Sequence, residues 1–546
     1  MMNLSSALVY FFLGCILTPV LHGEVFSSIY KLKLLAKKEE NLLRILKQYN
    51  DSLVRGTTNN TPVSDMRLFA HLESSVNISC RDESYPENPL NVLHLLNRYI
   101  NMWPSIPDIV LCDSCAISER ERDFNQSYHN LKKEITDWPK QHELQAAVRS
   151  FLRLRTTYYL DISKVIQGNI NEEKTEPLSL SLIQLIIKEA EYIKMWDEAL
   201  LWSDALLDLL PELTSTNIST TAMFIDQIKA RILHKASFTA DAADLLKIHL
   251  KKVGVLSIQE DYTKYKKELK EYPKKDVPKM WPFNEQELDS IQKQLCRGVI
   301  RKSNKELSSL SCYMVETYIP YFKSKAEEVN KDPKILIFHE VITENEIAYF
   351  KEESYKVFIR SGLQNYGRKE DVNEEIRLSY TGWVFEKDAI SRRISKRIGM
   401  ITKLDTTERN VLSSSESYQV ANYGIGGYFK PHLDNLHNPI WRQPVQSDAK
   451  FVKGSGDRIA TWMFYLNDVR AGGATVFPRI NTRIPVTKGS AAFWYNILPN
   501  GEVDERVLHG GCPVLLGSKW ICTKWIREEG QMFRRPCKLH FNATVH

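Results

Sequence analysis

What this 546-residue chain lacks narrows the field first. It has no marked excess of either charge: 73 Lys and Arg stand against 67 Asp and Glu, a net +6 spread along the whole length. Charge therefore points to neither a nucleic acid nor a membrane surface as partner. After the first thirty residues no apolar run is long enough to span a bilayer. Gly424, Gly426 and Gly427 lack the Gly-Lys-Ser/Thr that completes a phosphate loop, so they read as a turn. The one C-x-x-C, Cys112 and Cys115, has no second copy and no thioredoxin-like strand pattern around it, which argues against a zinc module and a dithiol oxidoreductase. The sequence ends in Thr-Val-His without a retrieval tetrapeptide, so retention in the endoplasmic reticulum needs a partner.

What is present points to a secreted, multidomain protein. The apolar stretch 7–21, followed by the small Gly23, has the length of a signal-peptide core and predicts a mature chain from Glu24. All cysteines except Cys15 lie beyond it: Cys80, Cys112, Cys115, Cys296, Cys312, Cys512, Cys522 and Cys537 suit an oxidising compartment. Acceptor sequons at Asn59, Asn77, Asn125, Asn217 and Asn542 agree. A composition that is 43% apolar over this length allows three or four domains with their own cores.

Periodicity divides the chain into a helical half and a β-rich half. Leu32, Leu35, Leu42, Leu46, Tyr49 and Leu53 repeat at helical spacing, interrupted by Glu39; this stripe suits either a short dimeric coiled coil or packing within its own helical domain. A helix over 90–102 is bounded by Pro89 and Pro104. Residues 144–254 are again helix-rich, with a helical hairpin over 178–210 in which Ala199 and Pro211 stand where a tetratricopeptide repeat has its small residue and closing proline; an ordinary bundle is the other reading. Residues 259–282 read as a charged linker. From 334 onward short β-rich runs at 335–338, 417–423, 459–466, 491–495 and 519–525 predict an antiparallel sandwich or barrel, with one helix over 344–359.

The chemistry concentrates in Pro431-His432-Leu433-Asp434. On a strand, residues two apart face the same way, so His432 and Asp434 are expected to enter one cavity. His509 supplies the third member of a two-histidine, one-carboxylate set, which on Fe(II) leaves open positions for a bidentate 2-oxo acid and O₂. Lys519, at the start of an apolar strand ten residues later, is placed to meet the distal carboxylate of 2-oxoglutarate. His437 reads as surface or supporting, and His540 and His546 as solvated tail residues.

Tyr418-Gln419-Val420-Ala421-Asn422-Tyr423-Gly424 running to His432 and Asp434, Asp457-Arg458-Ile459-Ala460-Thr461-Trp462, Gly472-Gly473-Ala474-Thr475-Val476-Phe477-Pro478, Phe493-Trp494-Tyr495-Asn496, Gly517-Ser518-Lys519-Trp520 and the run 531–537 resemble the collagen prolyl 4-hydroxylase α-subunit family. The resemblance extends more loosely back to the mature N-terminus. It implies a double-stranded β-helix (jelly-roll) dioxygenase over 334–537, with His432, Asp434 and His509 as Fe(II) ligands, Lys519 on 2-oxoglutarate, and L-ascorbate restoring oxidised iron. The implied reaction is 4-hydroxylation of proline in X-Pro-Gly sequences of collagen-like chains in the endoplasmic reticulum lumen, with release of succinate and CO₂. It further implies a signal over 1–23, a dimerising helical domain over 24–140, a tetratricopeptide-like peptide-binding domain over 144–254 that includes Tyr158, a linker with a disulfide region over 255–333, and a tail over 538–546. Protein disulfide isomerase is the implied partner in an α2β2 tetramer, and Cys296 with Cys312 and Cys512 with Cys537 are the implied disulfides.

Two departures from the family pattern stand out. Arg527 replaces a histidine tied to the C1 end of the oxo acid, and a permanently charged guanidinium cannot imitate neutral imidazole. Gln227 and Ala230 replace groove tyrosines, which removes stacking area for proline rings. They keep two other readings in view: a non-catalytic peptide-binding subunit, and a hydroxylase of non-collagen, proline-rich secreted proteins.

Overall fold

The computed structural model describes residues 28–54, 63–110, 119–135, 138–213, 218–250, 256–271, 284–361, 376–409, 413–436 and 455–537. Cys15 and the signal segment, Cys112, Cys115, Asn59, Asn217, Asn542, His437, His540 and His546 lie outside them.

The chain opens with α1 (Ile29–Val54), followed by α2 (Val63–Arg81), α3 (Pro89–Asn97) and α4 (Glu119–Glu134). The α1 stripe is covered from within: Leu32, Leu35, Leu42, Leu46 and Tyr49 are buried in one cluster with Leu72, Val76, Leu90, Leu93 and Phe124. The stripe that suited a second copy therefore already has an intramolecular partner. Glu39, the residue that breaks the stripe, is fully buried, with Arg98 donating to its two oxygens at 2.8 Å each and Trp103 Nε1 at 2.9 Å. A buried carboxylate at an apolar position requires such a partner, and removing one member leaves an uncompensated charge. Glu39→Ala is expected to lower stability by about 3–5 kcal/mol, whereas Glu39→Leu with Arg98→Met is expected to be near neutral; urea unfolding of the two variants checks this.

A run of neighbouring helices follows: α5 (Gln141–Tyr158), α6 (Leu180–Tyr192), α7 (Trp196–Leu213), α8 (Ile218–Lys235), α9 (Thr239–Leu250) and α10 (Leu256–Glu271). Ser179 caps α6 through its hydroxyl, and short turns join α6 to α7 and α8 to α9. Much of the expected linker is thus helical, because Ile258 and Tyr265 of α10 are buried against Ala242, Ala243 and Leu246 of α9. Ala230 lies in that same core, and Gln227 donates to Asp261 at 2.8 Å. Among the described residues no helix is long and apolar enough to cross a membrane.

The C-terminal half contains two facing antiparallel sheets. In chain order the strands used below are β1 (Cys312–Glu316), β2 (Lys323–Asn330), β3 (Ile335–His339), β4 (Ile359–Arg360), β5 (Arg377–Leu378), β6 (Tyr380–Val384), β7 (Tyr418–Tyr423), β8 (Tyr428–His432), β9 (Arg458–Tyr465), β10 (Thr475–Phe477), β11 (Thr482–Ile484), β12 (Ala491–Tyr495), β13 (His509–Gly511) and β14 (Lys519–Arg527). The nine-stranded major sheet has the order β1-β2-β3-β12-β9-β14-β7-β6-β4, and the five-stranded minor sheet β11-β10-β13-β8-β5. The sheet thus begins at Cys312, earlier than the expected boundary at 334. β9 and β14 are buried at every residue because both faces are covered, which is why they read as continuous apolar runs rather than alternating ones. Their outer face meets α12 (Glu344–Tyr355) and α13 (Ala389–Thr402) through Ile347, Phe350, Ile394 and Ile398. Capping boxes at Thr343 with Glu346 and at Asp388 with Ser391 start these two helices.

Three of the contacts that join the halves beside the minor sheet bear on the site. Helix α11 (Asn284–Arg297) carries Cys296 into a disulfide with Cys512, inside a small cluster with Leu295, Ala474 and Val476. This replaces both expected pairings, since Cys312 heads an exposed edge strand and Cys537 is exposed near the end of the described chain. Gly426, at φ +66°, packs against α5 so closely that a Cβ there would lie 1.9 Å from Ser150 Oγ, so the turn before β8 needs glycine. Tyr158 forms the third contact, donating its hydroxyl to the Pro513 carbonyl at 2.5 Å.

Candidate active site

The sheets enclose a cavity of about 380 Å³. Lys519, Ile521, Thr523 and Trp525 of β14 line it, while Trp520, Cys522 and Ile526 face the helices, as the two-residue strand period requires. β8 brings His432 to its mouth, with Asp434 just beyond the strand end, and β13 pairs with β8 so that His509 lies opposite His432. One ligand atom from each of His432, Asp434 and His509 falls within 4.8 Å of the others. His432 Nε2 is 3.6 Å from Asp434 Oδ1, and His509 Nε2 is 3.7 Å from Asp434 Oδ2.

The surroundings fix which atoms face inward. His432 Nδ1 lies 2.9 Å from the Lys430 carbonyl and His509 Nδ1 3.0 Å from the Val507 carbonyl. A ring nitrogen donating to a carbonyl leaves the Nε2 lone pair of each imidazole for a cation. Burial, and then His509, hold the His432 imidazole down at about 3, so it is neutral at pH 7. Burial works to raise the Asp434 carboxyl, but His509, His432 and Arg458, together with the Thr461 hydroxyl, outweigh it and hold the group at about 2. Thr461 Oγ1 donates to Asp434 Oδ2 at 2.7 Å and itself accepts from Asn496 Nδ2 at 3.0 Å. Two imidazoles and an ionised carboxylate in this spacing fit Fe(II), a borderline cation that accepts mixed nitrogen and oxygen donors. Thr461→Val keeps the shape and removes the donor; metal affinity is expected to fall about 10–100-fold, read by titration with Fe(II) or Co(II).

The far end of the cavity holds a buried cation. Lys519 Nζ donates to Thr475 Oγ1 at 3.2 Å and lies 5.6 Å from the Tyr465 ring, whose hydroxyl donates to the same Thr475 at 2.9 Å. Among the described residues no charged partner acts on Lys519, and burial alone pulls its ammonium down to about 7. A buried lysine without a counter-ion is the complement of a ligand carboxylate. The cavity thus has a cation-binding set at one end and an anion-binding ammonium at the other.

Arg527 does not line the cavity wall. Its Nη1 donates to Glu416 Oε1 at 2.9 Å, and Arg458 grips the same carboxylate at 2.6 and 2.7 Å while also reaching the Asp434 carbonyl at 3.3 Å. Through Glu416 and Arg458, Arg527 is linked to the ligand set. Tyr158, expected in a peptide groove, donates its hydroxyl to the Pro513 carbonyl. Thr461, Asn496, Thr475 and Tyr465 were not picked out as site residues from the sequence. The two-residue alternation along β9 would have put Thr461 on the cavity face as a lone polar residue in an apolar strand.

Comparison with known proteins agrees with this division of the chain. Residues 418–527 match the family described as 2OG-Fe(II) oxygenase superfamily, and residues 28–172 match the prolyl 4-hydroxylase alpha-subunit N-terminal region. The human prolyl 4-hydroxylase subunit alpha-1 is 29% identical, with 95% of this chain and 96% of that one covered. The Caenorhabditis elegans subunit alpha-2 is 28% identical, with 96% of each covered. A solved viral collagen prolyl hydroxylase from Paramecium Bursaria Chlorella virus-1 is 24% identical over 35% of this chain and 95% of that one, at a TM-score of 0.27. Both matched regions occur in one chain, in this order, and the similarity to prolyl 4-hydroxylase α subunits runs from end to end.

Proposed function

We propose that the chain is the catalytic α subunit of a procollagen-proline 4-dioxygenase, hydroxylating C4 of proline in X-Pro-Gly sequences while 2-oxoglutarate is decarboxylated to succinate and CO₂. The observation that carries this reading is the convergence of His432, Asp434 and His509 in one cavity with the uncompensated Lys519. Bound Fe(II) would supply the activation of oxygen. His432 and His509 would offer Nε2 to it, and Asp434 its negative charge, with Thr461 orienting the carboxylate. Lys519 and Thr475 would take the distal carboxylate of 2-oxoglutarate and so set its direction in the cavity. Met463, Trp494 and Ile521 would keep water from the reacting centre. L-ascorbate would return iron to the ferrous state after uncoupled cycles.

The same reading places the protein in the endoplasmic reticulum lumen behind a signal over 1–23, retained by protein disulfide isomerase in an α2β2 tetramer. Residues 144–254 would be a tetratricopeptide-like domain for the peptide. The test is release of labelled CO₂ from 1-¹⁴C 2-oxoglutarate by the chain co-expressed with protein disulfide isomerase, with and without a (Pro-Pro-Gly)ₙ peptide. Peptide-stimulated release is expected; none from a soluble, iron-loaded complex would instead favour a non-catalytic peptide-binding subunit. A second reading keeps the enzyme and changes its substrate to another proline-rich secreted protein. It is favoured by the buried Ala230 and by the Tyr158 hydroxyl already held by Pro513, and hydroxyproline mapping decides between the two substrates.

A further inference from the structure

On the outer face of the major sheet, a second cavity of about 160 Å³ opens between the start of α1 and the catalytic domain. Its floor is a row across three neighbouring strands: Trp520 of β14 is in register with Asn422 of β7, and Asn422 with Tyr380 of β6. Tyr355, at the end of α12, and Phe358 form one wall, and Tyr30 the other. The rings make a continuous surface: Tyr30 lies 5.5 Å from Tyr355, Tyr355 lies 5.2 Å from Trp520, and Phe358 stacks on Trp520 at 5.4 Å. Tyr30 and Tyr355 nevertheless remain 56% and 45% exposed.

The floor also carries an unanswered donor. Asn422 Nδ2 is buried, and among the described residues no acceptor reaches it. Native interiors seldom leave such an amide unmatched, so the atom points to a ligand that brings a carbonyl. The charges at the rim, Lys33 and Glu87, pair with each other at 3.3 Å, and Arg470, which shares Glu87 at 3.4 Å, is itself matched by Glu173, so these walls offer a charged ligand no unmatched counter-ion. The complement is uncharged, presents flat apolar rings, and offers acceptors without N–H donors that would themselves need partners. Proline meets all three conditions, since it has no amide hydrogen and its extended left-handed helix exposes both rings and carbonyls.

We propose that this cavity is a docking site for a proline-rich polypeptide, whose rings lie on the exposed faces of Tyr30 and Tyr355 while one of its carbonyls accepts from Asn422. That the polypeptide is also the substrate rests on the function proposed above; the docking itself does not. Asn422 and Trp520 are chain neighbours of Tyr423 and Lys519, which line the metal cavity on the opposite face of the same sheet. A chain held here must pass around the sheet edge to reach the metal. Three strand spacings of about 4.8 Å from β14 out to the edge strand β4, the same distance back and about 10 Å between layers make a path of roughly 40 Å, so at about 3.1 Å per residue only peptides of roughly a dozen residues or more engage both sites.

The test compares labelled (Pro-Pro-Gly)₁₀ with (Pro-Pro-Gly)₂ by fluorescence anisotropy, on the full chain in its soluble complex and on Tyr30→Ala and Tyr355→Ala. Both tyrosines are exposed, so the variants should fold. Each variant is expected to bind the long peptide about three- to tenfold more weakly and the short one unchanged, with the KM for the long peptide rising in step. Unchanged affinity for the long peptide in both variants, or an equal loss for both lengths, overturns the proposal. So does long-peptide binding that is gained only on removing residues 24–27, which would make the chain's own N-terminal segment the occupant. Wild-type protein that binds the long peptide in this tyrosine-dependent way without hydroxylating it would sink the enzymatic reading and leave the docking site standing.

Discussion

Asp434→Ala is expected to abolish metal-dependent turnover without unfolding either half of the chain. Asp434 is the anionic member of the ligand set, and the surroundings are built to keep it ionised: Arg458 and Thr461 address it from the sheet, and burial is outweighed. Removing it leaves two neutral donors, and the loss of metal affinity should exceed the roughly 10–100-fold that follows from deleting an outer partner. Titration with Fe(II) or Co(II), followed by the CO₂ assay, reads both effects. Retained turnover at normal iron concentration would sink the ligand assignment. Circular dichroism should stay unchanged, because among the described residues the Asp434 side chain takes its hydrogen bond from Thr461, and it lies outside the strand ladders.

Lys519→Met should separate stability from activity. In the protein without oxo acid the ammonium is buried against tyrosine rings with no counter-ion, so replacing it by a chain of similar length and no charge should raise the melting temperature. Binding of 2-oxoglutarate should suffer in the opposite sense. Losing one member of a buried charge pair costs about 2–5 kcal/mol, or roughly 30-fold to several-thousandfold in the Michaelis constant. The same residue sets a pH dependence. Burial lowers the Lys519 ammonium to about 7, and a bound carboxylate raises it again. Below pH 7 the lysine is already charged and affinity is flat. Above pH 7 binding must take up a proton, so affinity falls by up to about tenfold per pH unit until the bound-state value is reached. Lys519→Met should show no such slope, and a wild-type Michaelis constant that is level from pH 7 to 8.5 would remove Lys519 from the oxo-acid site.

The parts of the fold legible in the sequence are those fixed by local pattern. The helix beginning near 344, the buried strands around 459 and 519, and the turn at Gly424 to Gly427 each announce themselves through caps, apolar runs or glycine. The two-residue spacing of His432 and Asp434 and the distant His509 likewise suffice to suggest a common cavity, where the structure brings them together, although the strand ends at His432 and Asp434 follows it. What stayed hidden depends on tertiary contact. Cys312–Glu316 is a largely exposed edge strand and Lys323–Asn330 beside it is highly charged, and strands that bury so few apolar side chains have little apolar signal to give. The pairing of Cys296 with Cys512 depends on where α11 docks, across 216 residues of sequence. Glu39 looked like a flaw in the stripe on α1 because Arg98 and Trp103, which complete it, lie about sixty residues away. Arg527 stands out by its charge, but only the position of Glu416 shows that its guanidinium is held by a carboxylate that Arg458 shares.

The contacts of Cys296 with Cys512, Tyr158 with Pro513 and Ser150 with Gly426 lie at one seam, within a few residues of His432 or His509. A crosslink closing so long a loop restricts the unfolded chain, and here it ties the end of the helical half to the strand that carries His509. The two halves should then melt together as one cooperative unit, with a ligand in the metal cavity raising the midpoint of the helical signal too. Reduction of that one bond would separate them into two transitions, making thiol state the variable that decides whether occupancy of the active site is felt in the distant helices.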